Sequence, residues 1–113
     1  MNQVTTHILD TARGVPAEGI CARLCYQRGD QWHSLGEGYS NALGRIEDLC
    51  EQKAALLAGT YRLHFETADY FRQQQNDVFY PWVDVVFNLH GDGQHYHIPL
   101  LLSPFSYSTY RGS

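Results

Sequence analysis

A chain of 113 residues suits one domain, residues 1–113, with one core, and it excludes folds that need roughly 250 residues, such as the parallel barrel ringed by helices. The net charge of −4 supplies no basic face for nucleic acid or an anionic membrane. Hydrophobic residues make up 43% of the chain, which excludes wholesale disorder.

Eight Tyr, five Phe and two Trp favour strands, because flat side chains pack well on a pleated surface. Residues 4–10 read as the first strand, closed by a turn at Arg13-Gly14-Val15-Pro16. In it, Thr5, His7 and Leu9 share one face, and Val4, Thr6 and Ile8 the more apolar other. Residues 20–26 form the second strand and Arg28-Gly29-Asp30 its turn. Residues 32–39 form the third, where Gly36 and Gly38 predict a bulge or a close backbone approach. Arg45 follows the turn Asn41-Ala42-Leu43-Gly44. Residues 47–57 carry helical spacing (Leu49, Lys53, Leu56, Leu57) and read as loop or partial helix.

Residues 61–67 alternate, with Tyr61, Leu63 and Phe65 on one side and Arg62, His64 and Glu66 on the other. Thr67 is placed as the N-cap of a short helix over 68–75, with Asp69 and Tyr70 in its first turn. Tyr80-Pro81 breaks the chain before a strand at 83–89. Gly91-Asp92-Gly93 predicts a tight hairpin into 94–102, and Ser103-Pro104 turns the chain into the last strand. Short strands separated by turns at this spacing predict a β-sandwich or barrel.

Cys21 and Cys25 would sit four apart on one strand, about 13 Å, too far to bridge, which suits inert thiols in a reducing compartment. The first residues have neither a basic n-region nor an apolar run, so the expected location is cytoplasmic.

The residues able to carry chemistry are few. His95 and His97 flank Tyr96, so on a strand both imidazoles leave the same face while Tyr96, Ile98 and Leu100 enter the core. With His7 as a third ligand they could hold a metal; without one, an imidazole that titrates near neutrality can move a proton. Solvated surface histidines are the blander alternative. Arg45 is either an exposed turn residue or a fork for a planar anionic ligand. No Gly-flanked serine supports a serine hydrolase.

The order of these residues along the chain resembles one family, the transthyretin-like 5-hydroxyisourate hydrolases. The matching segments are Thr6-His7-Ile8-Leu9-Asp10 with Gly14 and Pro16, Gly44-Arg45, Gly59-Thr60-Tyr61-Arg62-Leu63, Tyr70-Phe71, and Phe79-Tyr80-Pro81. The most specific stretches are residues 95–104 and the ending Tyr107-Ser108-Thr109-Tyr110-Arg111-Gly112-Ser113. The last four residues separate the enzymes from the hormone-carrying transthyretins, which share the fold. The chain departs from the usual pattern at Leu43, where an acidic residue or Asn is common, and around Trp82 and Asp84.

The resemblance implies an all-β fold, a sandwich of two four-stranded sheets with one short helix, in which 47–57 is a short strand and loop. It implies a homotetramer, a dimer of dimers, with active sites at the dimer–dimer interface. The implied reaction opens the cyclic amide of 5-hydroxyisourate in urate breakdown, a part of purine metabolism, without metal or other cofactor. His7, Arg45 and His97 are the implied catalytic residues, and His7, Arg45, Tyr110, Arg111 and Ser113 the implied substrate contacts. The competing expectation is a non-catalytic small-ligand carrier of the transthyretin type.

Overall fold

The computed structural model describes residues 2–50 and 55–112. In chain order its strands are β1 (Val4–Asp10), β2 (Val15–Pro16), β3 (Cys21–Arg28), β4 (Gln31–Tyr39), β5 (Arg45–Ile46), β6 (Gly59–Glu66), β7 (Val83–Leu89), β8 (Tyr96–His97), β9 (Leu100–Ser103) and β10 (Ser106–Thr109). One helix, α1 (Ala68–Gln73), lies between β6 and β7. One sheet runs β4-β3-β6-β7, antiparallel throughout. The other is centred on β1, whose one edge pairs in parallel with β8 and then β9 in unchanged register. Its opposite edge pairs with β5 and then β2, and β10 closes the sheet beyond β9. Counted as lanes, both sheets are four strands wide, as the family resemblance implies.

Alternation decides which side chains enter the space between the sheets. Ile8, Tyr96, Leu100 and Leu102 meet Leu24, Tyr61, Leu63, Phe65 and Val83, and Tyr70 and Phe71 of α1 belong to the same core. The Tyr70 hydroxyl donates to Asp10 Oδ2 (2.6 Å), while Asp10 Oδ1 accepts from the backbone N–H groups of Ala12 and Arg13. Helix, first strand and following turn are thus tied to one carboxylate. Tyr70→Phe leaves a buried carboxylate oxygen without its donor and is expected to cost about 1–3 kcal/mol in a denaturant melt. A cost near zero would show that the bond contributes nothing.

Several expectations from the sequence are corrected. Residues 91–93 do turn the chain, but not into a hairpin: β7 belongs to the first sheet and β8 to the second. A turn reverses direction without choosing the partner, and the six residues between Leu89 and Tyr96 are long enough to cross the roughly 10 Å between packed sheets. The predicted strand 94–102 is interrupted at Ile98-Pro99, and His95 lies just outside β8. Val15-Pro16 is strand, so the first turn falls at 11–14, where Gly14 adopts φ +70°. α1 stops at Gln73 because Gln75 takes a left-handed φ of +60°. The Thr67 hydroxyl makes no cap bond; it donates to the Tyr80 carbonyl (2.9 Å).

Both readings of the glycine pair in β4 hold. The β3–β4 register slips at Leu35, and a Cβ on Gly36 would overlap the Leu49 carbonyl oxygen. Of residues 47–57, only those outside 51–54 are described; they form neither the partial helix nor the short strand expected there, the nearby strand being β5 just before them, and Leu49 and Leu56 are buried. Cys21 and Cys25 are free thiols. Among the described residues no helix is long and apolar enough to cross a membrane.

Candidate active site

The face of β1 opposite the core is the floor of the site. Val4, Thr6 and Ile8 point inward, so Thr5 and His7 point out. Pairing then fixes their neighbours: Thr5 sits opposite His97 of β8, and His7 opposite Arg45 of β5. The two edges of one strand therefore gather residues from three parts of the chain, Thr5 and His97 lying 92 positions apart.

The turn before Arg45 is built on Asn41 and Gly44. The Asn41 side-chain oxygen accepts from the N–H groups of Leu43 (2.9 Å) and Arg45 (3.0 Å), and Gly44 N–H donates to the Asn41 carbonyl (2.8 Å). Gly44 adopts φ +77°, a region open to glycine at no steric cost. This geometry aims the Leu43 carbonyl at His7 Nε2, 2.8 Å away. A carbonyl only accepts, so Nε2 carries the hydrogen and Nδ1 of neutral His7 keeps its lone pair. The contact uses the backbone of Leu43, so a departure in side-chain type there does not disturb it.

His97 presents Nδ1 to the Thr5 hydroxyl (2.8 Å), leaving Nε2 without a partner among the described residues. The same hydroxyl meets His95 Nε2 (2.9 Å), and the two rings stack with centroids 6.4 Å apart. Thr5, Arg45, Glu47, His95 and His97 line an open cleft of about 280 Å³. Burial pushes the His97 pKa below the ordinary imidazole value, and the nearby His95, Arg45 and His7 push it further down against Glu47. His97 is thus held neutral and able to accept a proton at neutral pH.

The acid limb of kcat/KM is accordingly expected below 6.5, the ordinary imidazole value, and Glu47→Gln should move it lower still. A limb at or above 6.5 would contradict this. The same depressed pKa makes a stability contribution that is intact above the unfolded value and lost as pH falls through the folded one.

The C-terminal residues divide. Gly112 N–H donates to the His97 carbonyl (2.7 Å), and a Cβ there would lie 2.7 Å from His97 Cδ2, so only glycine seats the terminus this closely on the imidazole. The Arg111 guanidinium lies over the Tyr96 ring (4.6 Å to its centroid) and donates to Gln94 Oε1 (3.1 Å). Tyr110 is exposed and lines a separate, largely apolar cavity of about 230 Å³ with Val86 and Phe87 of β7. Ser113 lies outside the described residues. The fold therefore groups His7, Arg45 and His97, while Tyr110 and Arg111 of the same chain stand apart from that cleft.

Sequence reasoning overlooked Thr5 and Glu47 as parts of the cleft; His95 was paired with His97 as a candidate for chemistry but left out of the implied catalytic set. The signal for Thr5 was present, since it shares a strand face with His7; Glu47 opens a segment whose helical spacing gave no pointer to a strand-borne cleft. Among the described residues no three His, Cys, Asp or Glu side chains converge as metal ligands.

The chain is similar to known proteins over almost its whole length. The model of the HIUase/Transthyretin family matches residues 4–112. The 5-hydroxyisourate hydrolase of Mus musculus is 46% identical over 97% of this chain and 94% of its own, and that of Deinococcus radiodurans is 43% identical over 97% and 95%. Among solved structures, 5-hydroxyisourate hydrolase from Klebsiella pneumoniae superposes with a TM-score of 0.82 at 37% identity, covering 97% of this chain and 98% of that one. Transthyretin from Sparus aurata superposes with a TM-score of 0.90 at 33% identity, covering 99% and 97%.

Proposed function

The chain belongs to the HIUase/Transthyretin family, and on that premise we propose that it is a hydrolase that opens the cyclic amide of 5-hydroxyisourate. The product is 2-oxo-4-hydroxy-4-carboxy-5-ureidoimidazoline, a step of urate degradation. The single observation that carries this reading is the cleft itself, where a half-buried imidazole, with Nε2 unpartnered among the described residues, stands beside a guanidinium. Water attacking an amide carbonyl must lose a proton, and the carbonyl oxygen gains negative charge as it does so. His97 Nε2 takes the proton; Arg45 holds the planar, partly anionic substrate and offsets the charge on the oxygen. His7, held by the Leu43 carbonyl, offers Nδ1 to orient the water.

Backbone likeness alone does not choose between enzyme and carrier, since a transthyretin superposes at least as closely as a hydrolase. The cleft side chains favour the enzyme: a carrier has no need of a proton-accepting imidazole beside an arginine. A homotetramer, a dimer of dimers, in which a second copy faces the cleft, would bring Tyr110 and Arg111, both exposed in the single chain, into use as substrate contacts together with Ser113. The apolar and exposed Val86 and Tyr110 suit such a contact. Substrate supplied in large excess over protein separates the two readings. An enzyme consumes many equivalents, and a carrier stops at one per site.

A further inference from the structure

We propose that Thr5 and His95 form a proton relay behind His97, so that the proton His97 draws from water comes to rest on His95. The proposal rests on the hydrolase reading above and deepens it. Its basis is a hydroxyl held between two imidazoles: Thr5 Oγ1 lies 2.8 Å from His97 Nδ1 and 2.9 Å from His95 Nε2, and no third partner for it exists among the described residues. Two bare ring nitrogens cannot both be satisfied by the single proton of a hydroxyl. The hydroxyl donates to one ring and accepts from the other, so the tautomers of His95 and His97 are tied together.

The resting arrangement that suits a base has His97 Nδ1–H donating to Thr5 Oγ1, and Thr5 O–H donating to His95 Nε2. When His97 Nε2 takes a proton from the attacking water, the new O–C bond forms at the amide carbonyl. The Nδ1 proton then passes to Thr5, and the Thr5 proton passes to His95 Nε2. The positive charge leaves His97, where Arg45, His7 and burial oppose it, and settles on the more exposed His95. His97 is left neutral with hydrogen on Nε2, ready to donate to the ring nitrogen as the C–N bond breaks. His95 then returns its proton through Thr5 to Nδ1, and the cycle closes with every proton accounted for. The charged and titratable groups facing His97 are His7 from β1, Arg45 from β5, Glu47 just beyond it, and His95. Thr5 and His95 are positioning residues, acting through His97.

Thr5→Val keeps the branched shape that suits the strand and removes only the hydroxyl. It should lower kcat by roughly 10–100-fold with KM little changed, the range seen at metal sites when the partner that orients a ligating imidazole is lost. Thr5→Ser should restore most of the rate, and His95→Asn should match Thr5→Val. The double variant should be no slower than either single one, because both cut one chain. The dependence of rate on solvent deuterium should be curved in the wild type, where several protons move, and linear in Thr5→Val. A residue that merely packs would move KM and leave that curvature alone. Wild-type kcat and curvature in Thr5→Val, or additive losses in the double variant, would overturn the relay. Nitrogen NMR of the imidazoles reads the pair without turnover: His97 Nδ1 and His95 Nε2 should titrate jointly in the wild type and independently in Thr5→Val. Should the protein fail to hydrolyse 5-hydroxyisourate, the functional reading falls while this signature still decides whether the pair is coupled, and independent titration in the wild type overturns it.

Discussion

Replacing His97 with alanine is expected to lower kcat by roughly 10²–10⁴-fold, the contribution of a positioned general base, in a protein that still folds. The fold survives because the strand needs only the backbone of residue 97. Its carbonyl still accepts from Gly112, its pairing with Thr5 persists, and alanine keeps the Cβ. The ring is half-buried and lines an open cleft, so truncation opens no sealed cavity in the core. The Thr5 hydroxyl keeps His95 as a partner, and the stability change should stay within about 1 kcal/mol. The melt of the variant, read by circular dichroism, should therefore stay cooperative, with a midpoint within about 4–8 °C of the wild type, while the ring-opening rate collapses. Wild-type turnover in a well-folded variant would remove His97 from the chemistry.

Gly44→Ala is expected to damage both stability and activity. A left-handed backbone costs a residue with a Cβ about 1–2 kcal/mol, and here the added carbon would also overlap the Ile8 carbonyl oxygen. That carbonyl accepts from Ala17 N–H (2.9 Å), and Ile8 N–H donates to the Gly44 carbonyl (2.7 Å), so the turn cannot shift without disturbing β1. The combined cost should be roughly 2–4 kcal/mol, with the thermal midpoint falling about 4–8 °C for each of them. Movement of the turn displaces the Leu43 carbonyl from His7 and shifts Arg45, and misplacement by about 1 Å can cost about 10²-fold in rate. kcat/KM should therefore fall even well below the melting range. Leu43→Ala, which keeps the carbonyl and the left-handed glycine, should behave like the wild type. If Gly44→Ala melts and turns over normally, the turn does not set the site.

The parts of the molecule that were legible in the sequence are those governed by local rules. Strand and turn signals located β1 and β7 to the residue, and alternation separated the inward Tyr61, Leu63 and Phe65 from the outward Arg62 and His64 of β6. Glycine spacing announced the slip at Leu35 and the tight approach of Gly36 to Leu49. What local rules could not supply was partnership. The turn at 91–93 reads as a hairpin from its glycines, yet burial of Tyr96 and Ile98 beside β1 carries the chain into the other sheet. The Thr67 hydroxyl has the sequence signature of a cap, but the Tyr80 carbonyl, thirteen residues on, claims it.

The site divides in the same way. His7 and His97 were legible because strand periodicity sends them away from the core, and the ordered motifs of the family joined them to Arg45. Thr5 went unremarked because its importance arises only when β8 docks beside β1 and two imidazoles close on one hydroxyl. The terminal Arg111 was assigned to substrate, and within the chain its guanidinium rests on Tyr96 and Gln94. Its role as a substrate contact stands as a proposal about the assembled protein.

The central claim is that this chain catalyses the opening of 5-hydroxyisourate, and the ultraviolet decay of freshly generated substrate tests it most directly. With catalytic amounts of the wild-type protein, the absorbance should fall far faster than by spontaneous hydrolysis. A decay no faster than the spontaneous one would contradict the account and favour a carrier.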